Sequence, residues 1–448
     1  MSDFLSERIG RREALKRIGG AAAGVVATSL AGRMPWLAAD PPQKPNLILI
    51  IADDLGYGDL SSFGCPDIST PNIDAIGSQG VRFSSFYAAA PICSPTRVSA
   101  MTGKYPHRTS LSGLPDSHVP NDGLSPDEVT LPEVLKTAGY ATGITGKWHL
   151  GYSPKFRPRR QGFDEVVSEL AGSADFWDHS YDTDGIKQKW VFRNDTPWDT
   201  PGYLTEIWTN AAKSFITRHQ SQPFFLYVPY NAPHEPLSLP DGTVGSNRSI
   251  YKQVVEAMDA GIGQVVQQVR DCGLEDNTLI LFFSDNGADS GGNGSNGVLR
   301  GGKRTVYEGA VRTPCVAKWP AKINPGLVSS EPIISMDVFN TFAAAAGAKI
   351  PPGAGVDGRN VLKVMQGTAA SPHEYLFWRF GSAIGARRGK WKLVQQSGVN
   401  ELYDLSTDIG ESNNLVLQQP TIVRELAAKI IQWQDSLSRR ISYTVTDD

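Results

Sequence analysis

Pro45-Asn46-Leu47-Ile48-Leu49-Ile50-Ile51-Ala52-Asp53-Asp54 reads as a strand buried on both faces. Its apolar run is unbroken, whereas a strand with one wet face would alternate. Strands of this kind lie inside parallel sheets covered by helices. Two carboxylates, Asp53 and Asp54, follow at once. In open α/β sheets ligands bind beyond the carboxyl ends of the strands, so this pair falls where chemistry collects.

Working outward, Thr278 to Phe283 and Pro223 to Val228 repeat the pattern, and Tyr140 to Thr145 is a weaker copy. Helical patterns separate them. Val254, Val255, Met258, Ile262, Val265, Val266 and Val269 recur at helical spacing. Thr130-Leu131-Pro132-Glu133 has the spacing of a capping box with Pro in the first turn. The expectation is an α/β fold with a mixed, mainly parallel sheet between helices. Past Ala370 the character changes. Tyr375 to Trp378, Lys390 to Val394 and Leu402 to Leu405 are short segments broken by Gly and polar residues, as in a small antiparallel sheet. Thr421 to Leu437 reads as one amphipathic helix. Residues 40–370 are therefore expected to form the main domain and residues 371–448 a C-terminal subdomain.

The 448 residues, 40% hydrophobic and 20% charged, fit a globular chain of one large domain, or a large and a small one. A net charge of −3 supplies no basic face for nucleic acid. The N-terminus stands apart. Arg11-Arg12 and Lys16 precede an Ala- and Gly-rich apolar run over residues 18–32. That run is too short for a bilayer, which needs about 20 apolar residues. With small residues near Ala31 and Ala39, residues 1–39 read as a signal peptide, and the paired arginines give it a twin-arginine look. An exported protein, periplasmic or extracellular, is expected. A basic amphipathic tail is the plainer alternative. No later run is long enough for a membrane span. Cys65, Cys93, Cys272 and Cys315 form no CxxC pair, which argues against a zinc ribbon or thioredoxin motif. Four cysteines in this length make no disulfide framework.

The strand ends carry the unusual residues. The Thr278 run leads into Asp285-Asn286-Gly287, the Pro223 run into Asn231-Ala232-Pro233-His234, and the Tyr140 run into Gly146-Lys147-Trp148-His149. Asp53, Asp54, Asp285 and Asn286 form an oxygen-rich set that suits Ca2+ or Mg2+ better than zinc. Turn chemistry alone also places Asp and Asn after strands. Cys93-Ser94-Pro95-Thr96-Arg97 places Pro95 in the first turn of a helix. A residue at that helix start faces free N–H groups, which favour an anion. Arg97 adds a fork of donors. Lys147, His149, His234 and Lys303 complete the set. The ammonium groups suit sulfate or phosphate oxygens, and the imidazoles suit proton transfer. Taken singly, each of these residues also has an ordinary reading as a core or surface group.

Five motifs occur in order: Ile51-Ala52-Asp53-Asp54-Leu55-Gly56-Tyr57-Gly58-Asp59; Cys93-Ser94-Pro95-Thr96-Arg97 with Thr102-Gly103-Lys104-Tyr105-Pro106-His107-Arg108; Gly146-Lys147-Trp148-His149-Leu150-Gly151; Ser284-Asp285-Asn286-Gly287; and Gly301-Gly302-Lys303. Together they resemble the type I, formylglycine-dependent sulfatases of the alkaline-phosphatase-like superfamily. The resemblance runs from about Pro45 to Leu415 and includes Arg388-Gly389-Lys390-Trp391-Lys392-Leu393 and Glu401-Leu402-Tyr403-Asp404-Leu405. With Ser295-Asn296-Gly297, the wording looks most like sulfatases acting on N-acetylgalactosamine 6-sulfate, and like arylsulfatase A-type enzymes.

That resemblance implies an alkaline-phosphatase-like fold and a sulfuric ester hydrolase. Cys93 would be oxidised to formylglycine by a formylglycine-generating enzyme. One hydroxyl of the aldehyde hydrate would attack sulfur and expel the alcohol, leaving a sulfated intermediate; the second would then lose its proton, and sulfate would depart as the aldehyde reforms, splitting one hard step into two. Asp53, Asp54, Asp285 and Asn286, with residue 93, would bind one Ca2+. Arg97 would stabilise the nucleophile. Lys147 and Lys303 would hold sulfate oxygens. His149 would take the hydrate proton, and His234, with Lys303, would protonate the leaving oxygen. A sulfated carbohydrate or other sulfate ester is the implied substrate. Trp177, Tyr181, Trp190 and Trp198, in residues 172–202, are equally readable as a sugar-binding wall or a packed loop.

Three other readings remain. A phosphatase or phosphodiesterase of the same superfamily would use Ser or Thr and usually two zinc ions, against which Cys93 argues. A non-catalytic binder of sulfated glycans would leave Cys93 unmodified. A cysteine hydrolase would need a Cys–His pair for which the sequence gives no separate signal.

Overall fold

The computed structural model describes residues 44–183, 186–289 and 291–437. The proposed leader, residues 1–39, lies outside them. Asn46–Ala52 is a fully buried strand at the centre of a ten-stranded sheet. Phe224–Pro229 flanks it on one side and Thr278–Ser284 on the other, both parallel. Ala141–Lys147 and then Glu165–Glu169 continue the parallel order beyond Phe224–Pro229. Cys315–Lys318 and Val81–Phe83 extend the opposite side by antiparallel pairing, so the sheet is mixed but parallel where it is deepest. Each unbroken apolar run of the sequence thus becomes a central strand. Glu165–Glu169 was not anticipated, because two acidic ends and Ser168 interrupt its apolar pattern.

Alternate residues of the central strand feed two cores. Leu47, Leu49 and Ile51 join one with Val98, Val134 and Phe342. Ile48, Ile50 and Ala52 join the other with Trp208, Val255 and Ile262. Helices Cys93–Thr102, Leu131–Thr137 and Asp337–Ala345 supply the first core, and Leu204–His219 and Arg248–Asp271 the second. The capping box at Thr130 and Glu133 forms as expected. Among the described residues no helix is long and apolar enough to cross a membrane.

The C-terminal segments form a four-stranded antiparallel sheet: Leu376–Phe380, Ala383–Arg388, Trp391–Gln396 and Val399–Asp404. Ala383–Arg388 joins the three segments read from sequence. The helix Pro420–Ser436 packs on this sheet through Leu426, Ile430 and Trp433. A buried ionic knot ties the sheet to the larger one. Lys392 contacts Glu308 at 2.8 Å and Glu411 at 3.1 Å, while Arg312 and the Tyr87 hydroxyl reach Glu308 at 3.1 and 2.7 Å. Burial and the Glu308 charge raise Glu411 to about 7, despite the opposing Lys392 charge.

Candidate active site

Four neighbouring parallel strands end on one side of the sheet and deliver its polar residues. Backbone bonds continue past the strands and hold those ends in register: Asp285 N–H donates to Ala52 O at 3.1 Å, and Asp53 N–H to Ala232 O at 3.1 Å. Asp54 turns the chain with φ 64°, a left-handed conformation that Asp tolerates better than most residues. Its backbone N–H donates to Asp285 Oδ1 at 3.2 Å.

Cys93 is the first residue of the helix Cys93–Thr102, with extended Ile92 as its N-cap. Every residue of that helix is buried, although half are polar by type. Its small hydroxyls are satisfied locally: Thr96 donates to Ala90 O at 2.9 Å, Ser99 to Pro95 O at 3.0 Å and Thr102 to Val98 O at 2.8 Å. Ser94 donates to His149 O at 2.6 Å, fixing the helix start against the Ala141–Lys147 strand end. The Cys93 Sγ lies 3.4 Å from His149 Nδ1. His149 has φ 53°, and a Cβ at Gly172 would come within 2.5 Å of its ring. Only a glycine leaves that ring its place.

Arg97 lies one helical turn beyond Cys93 and on the same face. Its side chain is wholly buried. Its Nε donates to Asp285 Oδ2 at 2.9 Å, a terminal nitrogen lies 2.8 Å from the same oxygen, and another donates to Lys147 O at 3.2 Å. Asp53 Oδ1 is 3.5 Å away. Lys147 donates to the other Asp53 oxygen. Lys303 donates to Asp54 Oδ2 at 2.7 Å and lies 3.2 Å from His234 Nε2. Asn286 Nδ2 donates to Asp54 Oδ1 at 2.7 Å. Cys93, Arg97, Lys147, His149, His234, Lys303, Asp53, Asp54, Asp285 and Asn286 therefore occupy one pocket, drawn from segments up to 250 residues apart.

The electrostatics follow from burial and crowding. Burial alone would lift Asp53, but Lys147, His234, Arg97 and Lys303 together hold it far below the usual carboxylate range. Asp54 is lowered in the same way, burial being outweighed by Lys303 and His234. Asp285 moves up to about 7, through burial and its carboxylate neighbours, against the pull of Arg97. Burial and then the Lys147 charge push His149 well down; burial and then Lys303 lower His234. Burial raises the Cys93 thiol.

Asp53, Asp54 and His234 each offer a ligand atom within 4.8 Å of the others, a group able to hold a metal ion. Two further observations fit a hard cation. Asp53 Oδ1 and Asn286 Oδ1 are buried acceptors without a hydrogen-bond partner among the described residues. A buried oxygen left so is costly unless a cation or water meets it. The donor set is mainly carboxylate and amide oxygen, as hard divalent ions prefer.

Glu169 escaped the sequence reading. It pairs in register with Lys147 on the neighbouring strand. Both its carboxylate oxygens are buried without a hydrogen-bond partner among the described residues, and burial raises it to about 8. Its strand end was the signal, hidden with the strand itself. The aromatic segment divides. Trp190 packs edge-on against Tyr152, Arg193 lies over Trp198, and Tyr181 packs against the core. Trp177 is exposed, with its indole N–H donating to Leu239 O at 2.9 Å. All four cysteines are free.

Comparison with known proteins agrees with this geometry. The Sulfatase family matches residues 45–348, and the family described as N-sulphoglucosamine sulphohydrolase, C-terminal, matches residues 301–436. The N-acetylgalactosamine-6-sulfatase of Sus scrofa is 36% identical over 380 residues, covering 78% of this chain and 72% of that protein. Arylsulfatase A of Bos taurus is 34% identical over 442 residues, covering 85% and 84%. The crystal structure of Ps i-CgsB in complex with k-i-k-neocarrahexaose superposes with a TM-score of 0.83 at 31% identity, over 89% of this chain and 94% of that one. The chain belongs to the sulfatase family and is a sulfuric ester hydrolase.

Proposed function

We propose that this chain desulfates sulfated carbohydrates through a formylglycine made from Cys93, with one Ca2+ held by Asp53, Asp54, Asp285 and Asn286 together with residue 93. The observation that carries the reading is the placement of Cys93. It begins a helix, lies 3.4 Å from His149, and sits one turn from an Arg97 whose guanidinium rests on Asp285. The carbohydrate class is supported by the relative named for N-acetylgalactosamine-6-sulfate and by the neighbour solved with a neocarrahexaose.

When bound, the ion supplies Lewis-acid polarisation of a sulfate oxygen. The chain's own residues do the rest. Lys147 and Lys303 hold the remaining sulfate oxygens. Arg97 fixes Asp285 and steadies the charge on residue 93. His149 takes a proton from the hydrate at residue 93. His234 gives a proton to the leaving oxygen, with Lys303 beside its Nε2. The reading also calls for a formylglycine-generating enzyme as a maturation partner and for export through the twin-arginine-like leader.

Matured protein should turn over an aryl sulfate faster than the matching aryl phosphate; the reverse order would favour the phosphatase. Intact mass of the Cys93 peptide should show conversion of thiol to aldehyde. An unmodified thiol in protein from a competent host would favour the glycan binder.

Gly146 gives a sharper check on Lys147. Its φ is 135°, and a Cβ there would meet Pro229 O at 2.0 Å. Gly146→Ala must therefore shift the end of the strand that carries Lys147. Aryl sulfate kcat should fall by about 10²-fold, the effect of a misplacement of about 1 Å. Full activity in a folded variant would mean that Lys147 needs no such placement.

A further inference from the structure

The residues that follow the pocket's proton-transfer groups in sequence are themselves charged. Glu235 follows His234, and Arg304 follows Lys303. Lys303 N–H donates to Ala288 O at 3.0 Å, which brings the next residue, Asp289, level with Arg304. The two meet: Arg304 donates to Asp289 Oδ2 at 2.7 Å, with both side chains 43% exposed. Arg304 N–H donates to Pro91 O at 2.9 Å, two residues before Cys93. Its φ of 70° lies in the left-handed region, which a non-glycine residue keeps only where its surroundings fix it. The Arg304 backbone is thus pinned to the chain just before residue 93. The Glu235 carboxylate is tied to the same 288–303 loop: it accepts from Asn293 Nδ2 at 3.0 Å, from Ser246 Oγ at 2.9 Å and from Leu237 N–H at 3.2 Å. The lip of the pocket carries two carboxylates and one guanidinium, and the guanidinium is already paired.

We propose that Asp289 and Glu235 make this lip select sulfate esters whose neighbouring sugar positions bear hydroxyl or amide groups, not a second anion. The proposal rests on the sulfatase reading. A free arginine at the lip would take a second sulfate or carboxylate through two parallel bonds. With Asp289 on Arg304, that anion must displace a carboxylate and then meet its charge, with Glu235 adding a second negative charge on the same loop. A like charge placed against the wrong ligand is a recognised device of specificity. Hydroxyls and amides meet no such penalty and find acceptors in both carboxylates.

Asp289→Asn removes the charge and keeps a side-chain oxygen for Gly291 N–H, which Asp289 Oδ1 now accepts at 3.3 Å. Binding of a monosulfated and a disulfated hexosamine is measured by calorimetry in Cys93→Ala protein, so that nothing turns over. The parent lip should bind the monosulfated sugar more tightly. Asp289→Asn should shift the ratio of dissociation constants toward the disulfated sugar by about fivefold, the scale of an exposed ion pair. Adding Arg304→Gln should remove that shift, and raising the salt concentration should shrink it. A parent that prefers the disulfated sugar, a ratio unmoved by Asp289→Asn, or no binding of either sugar overturns the proposal. The sulfatase reading is judged separately, by aryl sulfate turnover of matured protein with Cys93 intact.

Discussion

Cys93→Ala is expected to abolish sulfate ester turnover while leaving the protein folded. The side chain is small and buried at a helix start, and its polar contact among the described residues, to His149 Nδ1 at 3.4 Å, is the weak kind a thiol makes. Alanine keeps the helix and opens little space, so the melting temperature should move by only a few degrees. Activity should behave differently. Removing a nucleophile that acts as a unit with its neighbours lowers kcat by about 10⁴-fold or more. At 1.36 kcal/mol per factor of ten, that is roughly 5 kcal/mol of barrier or above. The lysines and the cation site would still hold sulfate, so substrate binding should survive. A variant keeping roughly a hundredth of the parent kcat would remove residue 93 from the chemistry. Loss of folding would instead show that the thiol matters for packing, and Cys93→Ser would then separate the two effects.

The central strands could be read from sequence because burial on both faces leaves no room for polar residues. Leu47 to Ala52 is apolar throughout because odd and even residues face different cores, both dry. The acidic strand ends were legible for the converse reason: they lie just beyond the sheet. What local pattern could not supply was the company each residue keeps. The fork of Arg97 suggested an anion waiting at the helix start. In the structure it engages Asp285, 188 residues away, and so would steady the proposed cation site from behind. Glu169 stayed hidden because Glu165–Glu169 is short, with acidic ends and Ser168 within. The lip pair of Asp289 and Arg304 has no local signature either. It arises from the Lys303 N–H bond to Ala288 O, which closes the loop over residues 289–302. The C-terminal strand Ala383–Arg388 lacks alternation because its residues pack against the main domain as well as its own sheet.

Asp285→Ala should weaken calcium binding and stability by two separable routes. Asp285 and Arg97 are both wholly buried, and their contact at 2.8 Å is the closest that the guanidinium makes. Removing the carboxylate leaves Arg97, among the described residues, with Asp53 at 3.5 Å, the Lys147 carbonyl and the neighbouring Tyr227 hydroxyl as polar partners in the pocket. Breaking a buried pair from one side typically costs about 3–5 kcal/mol, so metal-free protein should melt at a clearly lower temperature. The second route is linkage. An ion that binds only the folded state adds about 2.7 kcal/mol when present at a hundred times its dissociation constant. Parent protein should therefore gain thermal stability on adding calcium, and Asp285→Ala should gain much less. The comparison of interest is the calcium-dependent gain, since a merely structural role would lower both curves together. Asp285→Asn refines it, because the amide keeps one oxygen near the site while withdrawing the charge that Arg97 requires. If Asp285→Ala gains as much stability from calcium as the parent does, the ion is held elsewhere. The orphaned oxygens of Asp53 and Asn286 would then need another partner.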